Sequence, residues 1–214
     1  MKKEKDKIFI FGASGHAKVV IDIIEQQGLY AIEFLIDDNR ELKEKDFFGY
    51  RVIGGKDELL PQQDRVSRGI VAVGVNSARI AVSSWLTANG FKLATAVHPS
   101  AQLARGVAVG VGTVIMAGVI VNSDTCIGDN VIVNTRASID HDCTIGNGVH
   151  IAPGATLCGA VTVGDNSFVC AGATIIPNLC IGSNAVVGAG AVVIRDVPDD
   201  VTVAGIPAKV VKQT

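Results

Sequence analysis

Three polar places interrupt an otherwise apolar, repetitive second half of this chain: Asn134, the run Asp140-His141-Asp142, and His150. Histidine is the side chain best suited to take and return a proton near neutral pH. A neighbouring carboxylate orients the ring and stabilises the imidazolium, and both Asp140 and Asp142 are close enough in sequence to do so. Asp142 also has a plainer reading as a turn residue, because Asp124 stands 18 positions before it. The first half offers different chemistry. Gly12-Ala13-Ser14-Gly15-His16 joins an apolar run to a helical pattern. Free N–H groups and the helix dipole there favour a phosphate. Asp37 and Asp38 close the next apolar run, a position from which an acid often holds a ribose hydroxyl. The glycines form Gly-x-x-Gly-His rather than the full dinucleotide fingerprint. A nucleotide-sugar is the leading reading of this half, with NAD and a structural turn as alternatives.

The elements that must position these residues are legible. From Val97 to Val193, every sixth residue is Ile, Leu or Val. One inward aliphatic residue in six, with small residues at the corners, predicts a parallel β-helix built from hexapeptide repeats. Three hexads, about 18 residues, close one triangular turn. Asn134 and His150, 16 residues apart, then fall near one corner on successive turns. The same spacing stacks Gly154, Gly172 and Gly190, and beside them Pro153, Ala171 and Ala189. That strip of small residues suits a long, thin ligand. Residues 7–96 instead alternate strand and helix: strands over Lys7–Phe11, Ile32–Ile36 and Gly69–Val75, helices over Ala17–Gln27 and Ala78–Asn89, with Gly28 ending the first helix. This predicts a small Rossmann-like α/β domain over 1–96, then a β-helix with a carboxy-terminal cap over 97–214.

Composition narrows the function. A net charge of −2 points to neither nucleic acid nor an anionic membrane. The cluster Lys2, Lys3, Lys5, Lys7 is interleaved with Glu4 and Asp6 and reads as a solvated tail. No apolar stretch approaches the roughly 18 residues of a membrane helix, and the N-terminus lacks the pattern of a signal peptide. Five cysteines without a CxxC pair suit reduced thiols in the cytoplasm. A metal-dependent hexapeptide protein would need three His ligands. The β-helix supplies His141 and His150, with His98 far off at its start, so no metal is expected.

The chain resembles the hexapeptide-repeat sugar acetyltransferases of bacterial glycan pathways. The resemblance rests on Phe11-Gly12-Ala13-Ser14-Gly15-His16, Phe34 to Asp38, Ala72 to Asn76 with Arg79, His98-Pro99-Ser100, Asn134-Thr135, Asp140 to Cys143, His150 and Ala204 to Lys209. It implies a left-handed β-helix, a homotrimer and acetyl-CoA as co-substrate. It further implies N-acetylation of the 4-amino group of a nucleotide-linked amino-dideoxy sugar, with O-acetylation of sialic acid as the competing activity. His141 would be the general base and Asp142 its orienting carboxylate. Asn134 and His150 would lie by the thioester, and Gly159, Ala171 and Ala189 along the pantetheine arm. Gly12, Ser14, Gly15, His16, Asp37, Asp38, Gly74 and Asn76 would hold the nucleotide-sugar.

Overall fold

The computed structural model describes residues 5–213, in two compact units, Met1–Pro99 and Ser100–Thr214. Of the charged amino-terminal cluster, Lys2, Lys3 and Glu4 lie outside the described residues. Asp6 and Lys7 are not tail. They begin the first strand, and the Lys7 ammonium lies 3.3 Å from the Glu33 carboxylate.

In the first unit, β1 (Asp6–Phe11), α1 (Gly15–Gln27) and β2 (Tyr30–Ile36) form a parallel βαβ unit. A hairpin follows, β3 (Asp46–Phe47) with β4 (Tyr50–Arg51), then a short α2 (Lys56–Leu59), β5 (Arg68–Val71), α3 (Asn76–Ala88) and β6 (Lys92–Leu93). Sheet order is β2-β1-β5-β6, with all three pairings parallel. The strand order therefore reverses between β1 and β5, where doubly wound folds leave a crevice at the carboxyl ends of the strands. Ile8, Ile10, Ile21, Ile24, Leu35 and Ile70 are buried, and Phe9 packs flat on Phe34 and edge-on to Phe91. Gly28 caps α1 in the left-handed conformation, its N–H donating to the Ile24 carbonyl at 3.0 Å.

Most boundaries shift from the sequence expectation by one or two residues, as at Asp6, Tyr30 and Asn76, and two of the differences bear on the site. Helix α1 starts at Gly15 rather than Ala17, placing His16 in its first turn. Strand β5 ends at Val71, not Val75, because the carbonyls of Val73 and Gly74 turn to the Arg79 guanidinium instead of continuing a ladder.

The second unit is a left-handed parallel β-helix of about six turns. Its two-residue strands stack in an 18-residue register, for example Val114, Ile132, His150, Phe168 and Val186 along one face. Of the expected aliphatic column, Ile115 through Val193 are buried at every sixth position. Leu103, near the start of the stack, is 38% exposed. A second inward column carries small residues, among them Ala137, Cys143, Ala155, Ala173 and Ala185. The end of the stack is covered by Val201–Ala204, parallel to Val186–Val187, and by Lys209–Gln213 folding back antiparallel.

Candidate active site

The β-helix holds the run Asp140 to Cys143 from both neighbouring turns. From the preceding turn, the Ser123 carbonyl accepts from the Asp142 amide at 3.0 Å. The buried Thr125 hydroxyl donates to the Asp140 carbonyl at 2.8 Å and accepts from the Cys143 amide at 3.2 Å. From the following turn, the Ala160 amide donates to the His141 carbonyl at 2.9 Å. The backbone on which the histidine stands is thus fixed before any ligand arrives.

His141 Nδ1 lies 2.7 Å from Asp142 Oδ2, with both side chains more than half exposed. With Nδ1–H donating to the carboxylate, Nε2 keeps the ring's basic lone pair. Asp142 does both things its position suggested. It adopts the left-handed turn conformation at φ +59°, as Asp124 does at +60°, and it orients the imidazole. Asp140 plays another part: its Oδ1 accepts from the His141 amide at 2.9 Å and from Asn122 Nδ2 at 2.8 Å. The Asp142 hydrogen bond first, then the Asp140 charge, hold the His141 pKa above its ordinary value.

Gly159, which the resemblance places along a pantetheine arm, also lies against the His141 ring. A Cβ there would stand 2.7 Å from His141 Cε1 and 2.8 Å from Nε2, so only glycine leaves room for the imidazole. Asn134 and His150 do meet. Asn134 Nδ2 is 3.1 Å from His150 Nε2, and Asn134 Oδ1 accepts from the Thr135 amide at 2.8 Å. That amide contact sets which end of Asn134 faces the ring, so Nδ2 donates and Nε2 of His150 accepts. Phe168, one turn on, stacks on His150 at 4.8 Å. The 18-residue step from His150 could have revealed it. Ala171 and Ala189 are exposed corner residues. They precede Gly172 and Gly190, whose α-carbons face open space.

In the first unit, Gly12 takes φ +118°, and a Cβ there would fall 2.7 Å from the Ala72 carbonyl oxygen. Asp37 ties this turn to its neighbour, accepting from the Ala13 amide at 2.8 Å and the Asn39 amide at 2.9 Å. Ser14 and Gly15 are exposed at the start of α1. His16 Nε2 is buried with no hydrogen-bond partner. Burial first, then the nearby Arg79 charge, push its pKa down to about 4, so the ring is neutral. Asp38 leans on Lys56, whose ammonium is 3.5 Å away, at the edge of a cavity of about 580 Å³ also lined by Asp37, Arg40 and Gly55. Gly74 and Asn76 lie at the start of α3, bound to Arg79. Among the described residues, no group of three or more His, Cys, Asp or Glu is placed to hold a metal ion.

A hexapeptide β-helix bearing an acid-paired histidine, preceded by a small parallel α/β unit, defines an acyltransferase of the hexapeptide-repeat class. Residues 7–86 match the model of the PglD N-terminal domain, and residues 124–159 match that of the bacterial transferase hexapeptide (six repeats). PerB from Caulobacter crescentus, solved in complex with CoA and GDP-perosamine, is 39% identical, covering 96% of this chain and 97% of its own at a TM-score of 0.91. The acetyltransferase domain of PglB from Neisseria gonorrhoeae FA1090 is 37% identical, covering 97% of this chain and 100% of its own at a TM-score of 0.90. WeeI from Acinetobacter baumannii AYE is 28% identical over 97% of this chain and 100% of its own, at a TM-score of 0.88. The chain belongs to the hexapeptide-repeat nucleotide-sugar acetyltransferase family.

Proposed function

We propose that this protein transfers an acetyl group from acetyl-CoA to the 4-amino group of a nucleotide-linked amino-dideoxy sugar, a step in building a bacterial surface glycan. The observation that carries this reading is the imidazole of His141, held at Nδ1 by Asp142 so that Nε2 is left as its basic nitrogen. Support comes from the relatives: PerB was solved with CoA and GDP-perosamine, and the PglB domain with acetyl coenzyme A.

In the proposed reaction the free amine attacks the thioester carbonyl carbon. Nε2 of His141 takes the proton that the nitrogen sheds as the C–N bond forms. Collapse of the tetrahedral intermediate breaks the C–S bond, and the proton passes to the departing CoA sulfur. General base catalysis of this kind contributes about 10²–10⁴-fold. Asn134 and His150 sit by the acetyl carbonyl in this scheme, and Gly159, Ala171 and Ala189 lie along the pantetheine arm. The turn Gly12 to His16 holds the sugar nucleotide together with Asp37, Asp38, Gly74 and Asn76. Transfer is direct: Cys143 is buried, its thiol donates to the Cys158 carbonyl at 3.2 Å, and burial pushes its pKa up, so it makes a poor nucleophile. We place the enzyme in the cytoplasm as a homotrimer, with CoA between the β-helices of two subunits. Its five free cysteines suit a reducing compartment.

The test is release of free thiol from acetyl-CoA, measured against UDP-, GDP- and dTDP-linked 4-amino-4,6-dideoxy sugars and free sialic acid, for wild type and His141→Ala. Turnover of one amino sugar that collapses in the variant supports the proposal. Acetylation of sialic acid alone would replace it with an O-acetyltransferase.

A further inference from the structure

Arg79 has no exposed surface at all, although it sits in the first turn of α3, at the crevice where the strand order of the first unit reverses. Burying a guanidinium costs several kcal/mol even when its donors are satisfied, so a small α/β unit retains one where its donors do something an apolar side chain cannot. Here three of its contacts fall on a single loop. Nη1 donates to the carbonyls of Val73 and Gly74, each at 3.2 Å, and Nη2 donates to Asn76 Oδ1 at 2.9 Å. These contacts end β5 early and bend the chain back over the start of α3. They also settle which way Asn76 points: its carbonyl oxygen faces the guanidinium, so its NH₂ faces the other way. Burial lowers the Arg79 pKa only to about 10, so the group stays a cation. That cation in turn helps keep His16, in the first turn of α1, in its neutral form.

We propose that Arg79 is a positioning residue for the sugar-nucleotide: it holds the loop Val73–Asn76, and with it the amide of Asn76 and the backbone of Gly74, in a binding-ready form on one side of the crevice. Arg79 itself, fully buried, touches no ligand. Its fork geometry is what matters. Three acceptors in different directions match a planar guanidinium, and a lysine ammonium, with the same charge, cannot reach them from one position. The proposal rests on reading the first unit as the sugar-nucleotide domain.

The experiment compares wild type, Arg79→Lys and Asn76→Ala by calorimetric titration with GDP and UDP, and by steady-state kinetics with GDP-perosamine and acetyl-CoA. Wild type that binds neither nucleotide and does not turn over the sugar sinks the reading of the domain itself. If wild type binds, Arg79→Lys is expected to raise the KM for the sugar-nucleotide on the order of tenfold, the effect of losing one or two buried hydrogen bonds. The KM for acetyl-CoA is expected to stay within about twofold, because the acetyl donor is bound elsewhere. A folded Arg79→Lys with both KM values unchanged overturns the proposal. Equal rises in both KM values, which general loosening would give, overturn it as well. An unchanged sugar-nucleotide KM in Asn76→Ala, which removes both the acceptor of the guanidinium and the NH₂ that faces away from it, overturns the proposal. Should Arg79→Lys not fold, Arg79→Gln, which keeps planar N–H donors without the charge, takes its place and is read by the same two KM values with the same outcomes.

Discussion

The imidazole of His141 is a side chain whose chemistry is decided by two carboxylates that differ in what they hold. Asp142 grips the ring and Asp140 grips the backbone amide beneath it. Both raise the ring's pKa, with Asp142 the larger cause. In the proposed reaction the base must be unprotonated to act, so activity is expected to rise with pH through the His141 pKa, which these carboxylates hold above its ordinary value. Replacing Asp142 with Asn removes the larger cause. The midpoint of the acid limb in kcat/KM is expected to move to lower pH, while the plateau falls because the ring loses its orienting partner. Comparing the two pH profiles on one substrate cancels the substrate amine's own titration, and an unmoved midpoint would assign the orienting role elsewhere. Gly159 gives a second residue-scale prediction. A methyl group at that position meets His141 Nε2, the proton acceptor of the proposed reaction. Gly159→Ala is expected to lower kcat by one to two orders of magnitude, a roughly 1 Å misplacement of a reacting group costing about 10²-fold. The fold, checked by circular dichroism, should stay intact.

At the scale of the element, the β-helix works as a set of clips. Thr113, Thr125 and Ser167 are buried hydroxyls that make the same pair of bonds. Each donates to a carbonyl 15 residues on and accepts from an amide 18 residues on. The clip at Thr125 happens to span the run that carries the proposed base, from the Asp140 carbonyl to the Cys143 amide. Thr125→Val keeps the shape and leaves both backbone groups without that partner, at about 1–3 kcal/mol. Thermal melting should show a similar loss for Thr113→Val, since the device is the same. Only Thr125→Val should also lower kcat. Equal kinetics in the two variants would mean the clip serves stability alone.

For the whole molecule, the relevant prediction is assembly. Residues such as Val111, Ile120 and Ile194 leave apolar side chains exposed on the β-helix, and triangular prisms packed about a threefold axis would cover such faces and leave grooves between subunits. Sedimentation equilibrium is expected to give three times the 22.2 kDa of one chain. A monomer that turns over substrate at full rate would show that each catalytic centre is complete within one chain.

Much of this was written in the sequence, because hexad periodicity is a local code: an aliphatic residue every sixth position has one stacking solution, and that solution brings Asn134 beside His150 and fixes the register of every turn. The βα pattern of the first unit, with Gly28 as its helix stop, was legible for the same reason. Other features depend on which groups end up within 3–4 Å of one another. Asp140 and Asp142 flank His141 equally in sequence, and only the left-handed turn at Asp142 puts its carboxylate on Nδ1 while Asp140 falls on the backbone. Resemblance places Gly159 along the pantetheine arm, and only the fold shows the ring of His141 lying on it. Continuation of the third long strand past Val71 was a fair expectation from apolar run length alone, and it failed because a buried Arg79, an ordinary polar helix residue in sequence, captures the loop carbonyls. Periodicity sets the scaffold; the hydrogen bonds and charges that tune the site are non-local, and three-dimensional packing alone chooses among them.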